Sequence, residues 1–70
     1  MQDYLTIFIN GEPFHCDPKM SFISVLSYLN FDIDNVVIEY NRQILDRHKL
    51  KSLCLVNNDS FEIITIVGGG

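Results

Sequence analysis

Gly68-Gly69-Gly70 closes the sequence directly after the apolar stretch Phe61-Glu62-Ile63-Ile64-Thr65-Ile66-Val67, and three of the four glycines in the chain stand there. At a glycine usage of ~7%, chance would place three together at a given site roughly once in 3,000. A glycine run is thin and takes up extended or positive-φ backbone at little steric cost, so it can thread a narrow tunnel. With no Cβ beside the last carbonyl, the carboxylate of Gly70 can attack a phosphate. Its activated form can then be attacked from either face, given good alignment. The run therefore reads as a chemical handle; the bland alternative is a frayed end or the remnant of a tag.

The other reactive side chains do not assemble into a site. Cys16 and Cys54 are the only cysteines, far apart and without a CxxC pair, so neither a zinc site nor a redox dithiol is indicated. An iron-sulfur cluster normally needs four ligands. His15 and His48 add no ligand spacing to the cysteines, and a buried thiol with surface imidazoles is the simpler reading. No phosphate-binding glycine loop, GxGxxG or nucleophile elbow is present. The expectation is a chain without a metal and without catalysis of its own. Arg42, Arg47, Lys49 and Lys51 gather around His48, a segment that could meet an acidic partner or a phosphate, or stand as a solvated loop.

Nine acidic against five basic residues leave a net charge of −4, which argues against nucleic acid and suits a basic protein partner. No apolar run approaches the ~20 residues that span a membrane, and Met1-Gln2-Asp3 opens no export-signal pattern. Seventy residues make one domain near the size where a core is marginal, with no room for a large enclosed active site. Alanine is absent, while isoleucine, asparagine and phenylalanine are frequent, a bias that an AT-rich genome such as a plastid's would leave.

The elements that must position the handle follow from periodicity. Leu5, Ile7 and Ile9 alternate with Tyr4, Thr6 and Phe8 before Asn10-Gly11, the strongest short hairpin signal. A two-residue turn there pairs Ile9 with Glu12, Ile7 with Phe14 and Leu5 with Cys16, which puts Cys16 on the core face, while Thr6 faces His15 on the other. Asp17-Pro18 breaks the strand. Ser21 can cap a helix carrying Phe22, Val25, Leu26 and Leu29 at helical spacing, ending near Asn30. Val36 to Tyr40 is β-branched and reads as a third strand, followed by a turn at Asn41-Arg42-Gln43. Ile44 to Val56 predicts a short strand or helical turn with irregular crossing. Asn57 to Ser60 marks a turn, and Phe61 to Val67 a last strand that delivers the tail.

This order makes a small α+β domain in which one helix covers one face of the sheet. If Phe61 and Ile63 join the core, then Glu62, Ile64 and Ile66 point to the open face together with Phe8. Phe8, Ile64 and Ile66 are therefore the candidate partner interface, an apolar patch beside the tail.

With these marks in place, the chain resembles the ubiquitin-like β-grasp sulfur carriers, and among them the ThiS family of the thiamin pathway. The marks are Ile9-Asn10-Gly11-Glu12, the helix Ser21 to Leu29, Val37-Ile38-Glu39-Tyr40-Asn41 and Val67-Gly68-Gly69-Gly70. Asn58-Asp59 stands where the family often has Gly-Asp, and asparagine tolerates the positive φ that such a turn needs. The resemblance implies a β-grasp fold: a mixed four- to five-stranded sheet, one main helix, a domain at 1–67 and a flexible glycine tail at 68–70. It implies a carrier and not an enzyme. Gly70 would be adenylated by a ThiF-type enzyme, converted to a thiocarboxylate, and used by the thiazole synthase ThiG, with Gly68 and Gly69 threading both partners' sites. ATP, magnesium and a sulfur donor protein would belong to those partners, leaving no cofactor on this chain. Alternatives are a MoaD-like small subunit of molybdopterin synthase, a protein modifier, and a plain interaction module without tail chemistry. A monomer when free is expected, in the cytoplasm or, if organelle-encoded, in the plastid stroma.

Overall fold

The structure is a computed structural model that describes residues 4–66. Strand β1 (Leu5–Ile9) turns through Asn10-Gly11 into β2 (Glu12–Cys16). Both turn residues have positive φ, 52° and 82°, the combination that a two-residue turn matched to the twist of a hairpin requires. The register is the expected one: Ile9 opposes Glu12, Ile7 opposes Phe14, Leu5 opposes Cys16, and Thr6 opposes His15. Pro13 opposes Phe8, whose N–H donates to Asp59 O on the far side of β1. The imide nitrogen of Pro13 therefore faces outward along the free side of β2. That placement removes a donor from an edge strand and discourages strand addition there.

Helix α1 (Phe22–Tyr28) is short, and its capping compensates. Ser21 Oγ accepts from the Ser24 N–H at 3.1 Å. At the other end Asn30 adopts φ 64°, and the Phe31 and Asn30 N–H groups donate back to Leu26 O and Ser27 O, the Schellman pattern. Seven residues are too few for an isolated helix to persist in water, so its stability comes from burying Phe22, Val25 and Leu26. After a 3-10 turn at Ile33–Asn35 comes β3 (Val36–Tyr40). Asn41 and Arg42, at φ 48° and 74°, reverse the chain into the two-residue strand β4 (Gln43–Ile44). The segment from Ile44 to Val56, expected to hold a short strand or helical turn with irregular crossing, then contains a 3-10 helix, Arg47–Ser52. Strand β5 (Ser60–Thr65) follows the turn at Asn57-Asn58, where Asn58 takes φ 73°. Gln43 and Ser60 thus lie inside strands where turns were expected, and Val67, the expected end of the last strand, lies outside the described residues.

The five strands form one mixed sheet in the order β2-β1-β5-β3-β4. β5 occupies the centre, parallel to β1 and antiparallel to β3. The core lies between α1 and one face: Phe22, Val25 and Leu26 meet Ile7, Ile9, Ile38, Phe61 and Ile63, with Leu50 and Leu55 closing the side. Phe61 is sandwiched between Phe22 and Tyr40, with ring centroids at 4.0 and 4.9 Å. Among the described residues no helix covers the sheet's other face.

Candidate functional site

Gly68, Gly69 and Gly70 lie outside the described residues, so the site visible in the structure is the platform that leads to them. β5 runs toward the tail between two neighbours, and its hold persists to its last residue. Past the end of β1, Asn10 Oδ1 accepts from the Ile63 N–H at 2.7 Å. Opposite, Thr65 pairs with Val36, and the Ile66 N–H donates to Asn35 O at 2.7 Å. Asn35 is itself fixed through Asp32, whose carboxylate accepts from the Asn35 side-chain amide and the Asp34 N–H. The four residues beyond Ile66 therefore start from a fixed point.

The start of β5 is held by a buried carboxylate. Asp59 is 7% exposed and accepts from the Val56 N–H at 2.9 Å and from the Tyr40 hydroxyl at 3.0 Å. Burial, and then the hydrogen bond to Asp59 and its charge, push the Tyr40 hydroxyl above its ordinary value of 10.0. A buried carboxylate with two donors is a satisfied anchor, and it ties β5 to β3 across the stack on Phe61. Cys16 is also buried, and desolvation, followed by the charge of Asp17, pushes its thiol above 9.0. That placement makes Cys16 a core residue and a poor nucleophile. Cys54 is exposed. His15 accepts from or donates to Thr6 Oγ1 through Nδ1 at 2.9 Å and packs edge-on to Tyr4. Among the described residues no group of three or more His, Cys, Asp or Glu side chains is placed to hold a metal.

The open face does not gather the candidate interface into one patch. Phe8 is half-buried and opposes Ser60, whereas Ile64 lies four residues further along β5, about 13 Å at strand rise. Ile64 and Ile66 sit at the tail end, each 52% exposed, and Ile64 opposes Val37. Glu39 opposes both Glu62 on β5 and Ile44 on β4, so Ile44, Glu39 and Glu62 form a row beside the Val37–Ile64 row. Ile44 is the most exposed of these apolar side chains, at 68%. Val37, Glu39 and Ile44 were not singled out from sequence. The alternation around buried Ile38 carries the signal for the first two; Ile44 needed the β4 pairing. In the basic segment, Arg47 is engaged with Asp34 at 3.1 Å and with Ile33 O; Arg42, Lys49 and Lys51 are exposed. No described helix is long and apolar enough to cross a membrane.

The profile of the ThiS family matches residues 7–70, almost the whole chain. The chain belongs to the ThiS family. The crystal structure of the thiamine biosynthesis protein ThiS from Geobacter metallireducens superposes with a TM-score of 0.75 at 25% identity, covering 94% of this chain and all of that one. The UBL domain of yeast Ddi1 superposes with a TM-score of 0.58 at 24% identity over all of this chain and 98% of that one. Together they identify the sheet and helix as the ubiquitin-like β-grasp. In sequence, this ThiS-family chain is 42% identical over 66 residues to the uncharacterized protein ycf40 of Porphyra purpurea, covering 94% of this chain and 93% of that protein. It is also 27% identical over 66 residues to a thiazole synthase of Magnetococcus marinus, covering 94% of this chain but 20% of that protein.

Proposed function

We propose that this ThiS-family chain carries sulfur as a thiocarboxylate on Gly70 and delivers it to a thiazole synthase of the ThiG type. The observation that carries the reading is the family match, which continues through the glycine tail to residue 70. A carboxylate is a poor electrophile, and the first step corrects that. A Gly70 carboxylate oxygen attacks the α-phosphorus of ATP on a ThiF-type enzyme, pyrophosphate leaves, and the acyl-adenylate gains AMP as a good leaving group. The terminal sulfur of a donor protein's persulfide displaces AMP to give an acyl disulfide, and a thiol reductant cleaves its S–S bond, releasing the donor's thiol and leaving the thiocarboxylate. This chain contributes no acid or base to those steps; it contributes a thin tail on a fixed root.

Val67 to Gly70 can extend at most about 14 Å from Ile66, enough to place the reacting carbon inside a partner while the sheet stays outside. The resemblance to one fifth of a thiazole synthase supports that enzyme as the acceptor and favours it over the molybdopterin branch. The ycf40 relatives come from plastid genomes, which supports organelle encoding and the plastid stroma as the compartment. Intact-mass spectrometry after incubation with a ThiF-type enzyme, ATP and a sulfur donor tests the reading. The expected result is a gain equal to sulfur replacing oxygen, mapped by fragmentation to Gly70. An unchanged mass, with a known carrier charged in parallel, would overturn it.

A further inference from the structure

We infer that Asp32 is a positioning residue for the carrier chemistry: acting through Asn35, it fixes the point at which the glycine tail leaves the sheet and so raises the rate at which Gly70 is activated. The inference rests on the carrier reading and names a residue that sets its efficiency. Its basis is the way the β3–β5 ladder ends. Thr65 opposes Val36, so the next pair in register is Ile66 with Asn35. A hydrogen-bonded antiparallel pair exchanges two N–H···O bonds, and here one of the two is redirected. The Ile66 N–H donates to Asn35 O at 2.7 Å, while the Asn35 N–H turns back to Asp32 O at 2.9 Å. The 3-10 turn at Ile33–Asn35 thus holds Ile66 and ends the ladder at the same residue.

That turn owes its shape to one side chain. Asp32 caps it, with Oδ1 accepting from the Asp34 N–H at 3.0 Å and Oδ2 from the Asn35 side-chain amide at 2.8 Å. A 3-10 helix of three residues has poor hydrogen-bond geometry of its own, so these two bonds to a charged acceptor decide whether Asn35 O stays aimed at Ile66. Arg47 braces the turn from outside, donating to Asp34 Oδ1 at 3.1 Å and to Ile33 O at 3.4 Å. Without the Asp32 carboxylate the last rung opens, and the root of the tail moves back from Ile66 to Thr65. In the parent, the ordering of that residue is complete before the activating enzyme is met. In a variant without the cap it must occur on the way to the transition state, which lowers kcat and leaves binding through the sheet unchanged.

The test measures steady-state thiocarboxylation by a ThiF-type enzyme, with ATP and a persulfide donor, for the parent, Asp32→Ala, Asp32→Asn and Ser21→Ala. Thermal melting and amide hydrogen exchange at Ile66 accompany it. Ser21→Ala is the matched control, because it also removes a cap, from a hydroxyl that engages Ser24 in the first turn of α1. Both alanine variants should melt lower by about 4–8 °C. Asp32→Ala alone should speed exchange at the Ile66 amide and lower kcat roughly tenfold at nearly constant KM for the carrier. Asp32→Asn should recover both, since its oxygen still accepts from the Asp34 N–H and its amide can donate to Asn35 Oδ1 once that side chain turns over. If Asp32→Ala keeps the parent's kcat or its Ile66 protection, or if Ser21→Ala loses as much kcat, the positioning role is overturned and the carrier reading stands. If the parent is not charged while a known carrier is, both fall.

Discussion

Six asparagines are spread through the 70 residues, and a coding bias does not account for where they stand. Asn10, Asn30, Asn41 and Asn58 take positive φ at four chain reversals, a region that asparagine enters more easily than other non-glycine residues. Asn10, Asn41 and Asn57 also accept the backbone N–H groups of Ile63, Ser60 and Thr6 where the β-ladder lapses. Asn10 does both, which makes it separable by mutation. Asn10→Gly keeps the turn and leaves the Ile63 N–H without its acceptor, at a cost of about 1–3 kcal/mol. Asn10→Ala adds the strain of a Cβ at positive φ, about 1–2 kcal/mol more. Urea unfolding of the two variants should resolve that difference, and equal losses would mean the turn is not under the constraint described. The two cysteines give a second residue-scale expectation. Under native conditions iodoacetamide should label Cys54, which is exposed, and leave Cys16, which is buried and whose thiol is held protonated; labelling of Cys16 at a comparable rate would show that the hairpin's core face opens readily.

At the scale of elements, β5 depends on its neighbours more than on its own sequence. Phe61 has no exposed surface and is stacked on both sides. Phe61→Ala should cost about 3–5 kcal/mol, comparable to the whole stability of a domain this small. Far-UV circular dichroism and an amide NMR spectrum should therefore show a largely unfolded chain, and a folded variant with a modest loss would mean the stack contributes little. The elements legible in sequence were those defined within a few residues. The Asn10-Gly11 hairpin and its register, the Ser21-capped helix and the β-branched third strand all rest on local spacing. β4 was obscure because two residues leave no periodicity, and the 3-10 helix because Arg47–Ser52 shows one apolar anchor, Leu50. The face of β5 was legible from alternation, but its parallel register with β1 was not. That register joins residues more than 50 positions apart in sequence, and it separates Phe8 from Ile64. A comparable distance hid the Asn10–Ile63 tie, and a shorter but still non-local one hid the cross-strand position of Glu39 against Glu62.

For the whole molecule, stability and carrier chemistry are separable, because every tie described for β5 is made at or before Ile66. Removing Gly70 should leave the melting curve unchanged and abolish formation of the thiocarboxylate; a truncated chain charged as well as the parent would remove Gly70 from the proposed role. The pH response tests the fold alone. Burial raises the Cys16 thiol above 9.0 and the Tyr40 hydroxyl above 10.0. Below pH 9 both groups are protonated in the folded and the unfolded chain, and neither makes stability vary with pH. Above 9 the unfolded chain releases the Cys16 proton while the folded chain retains it, so the unfolded state is favoured increasingly until the folded thiol also titrates. Tyr40 adds the same trend from 10 upward. The stability that these neutral groups contribute is thus complete below pH 9 and is lost as pH rises through their folded values. Melting temperatures measured upward from neutral pH should fall from about pH 9. Cys16→Ala should flatten the part that begins there, and Tyr40→Phe the part that begins near 10. A decline unchanged in both variants would place the alkaline sensitivity elsewhere, in the general repulsion of a chain that already carries a net charge of −4 and gains further negative charge as it titrates.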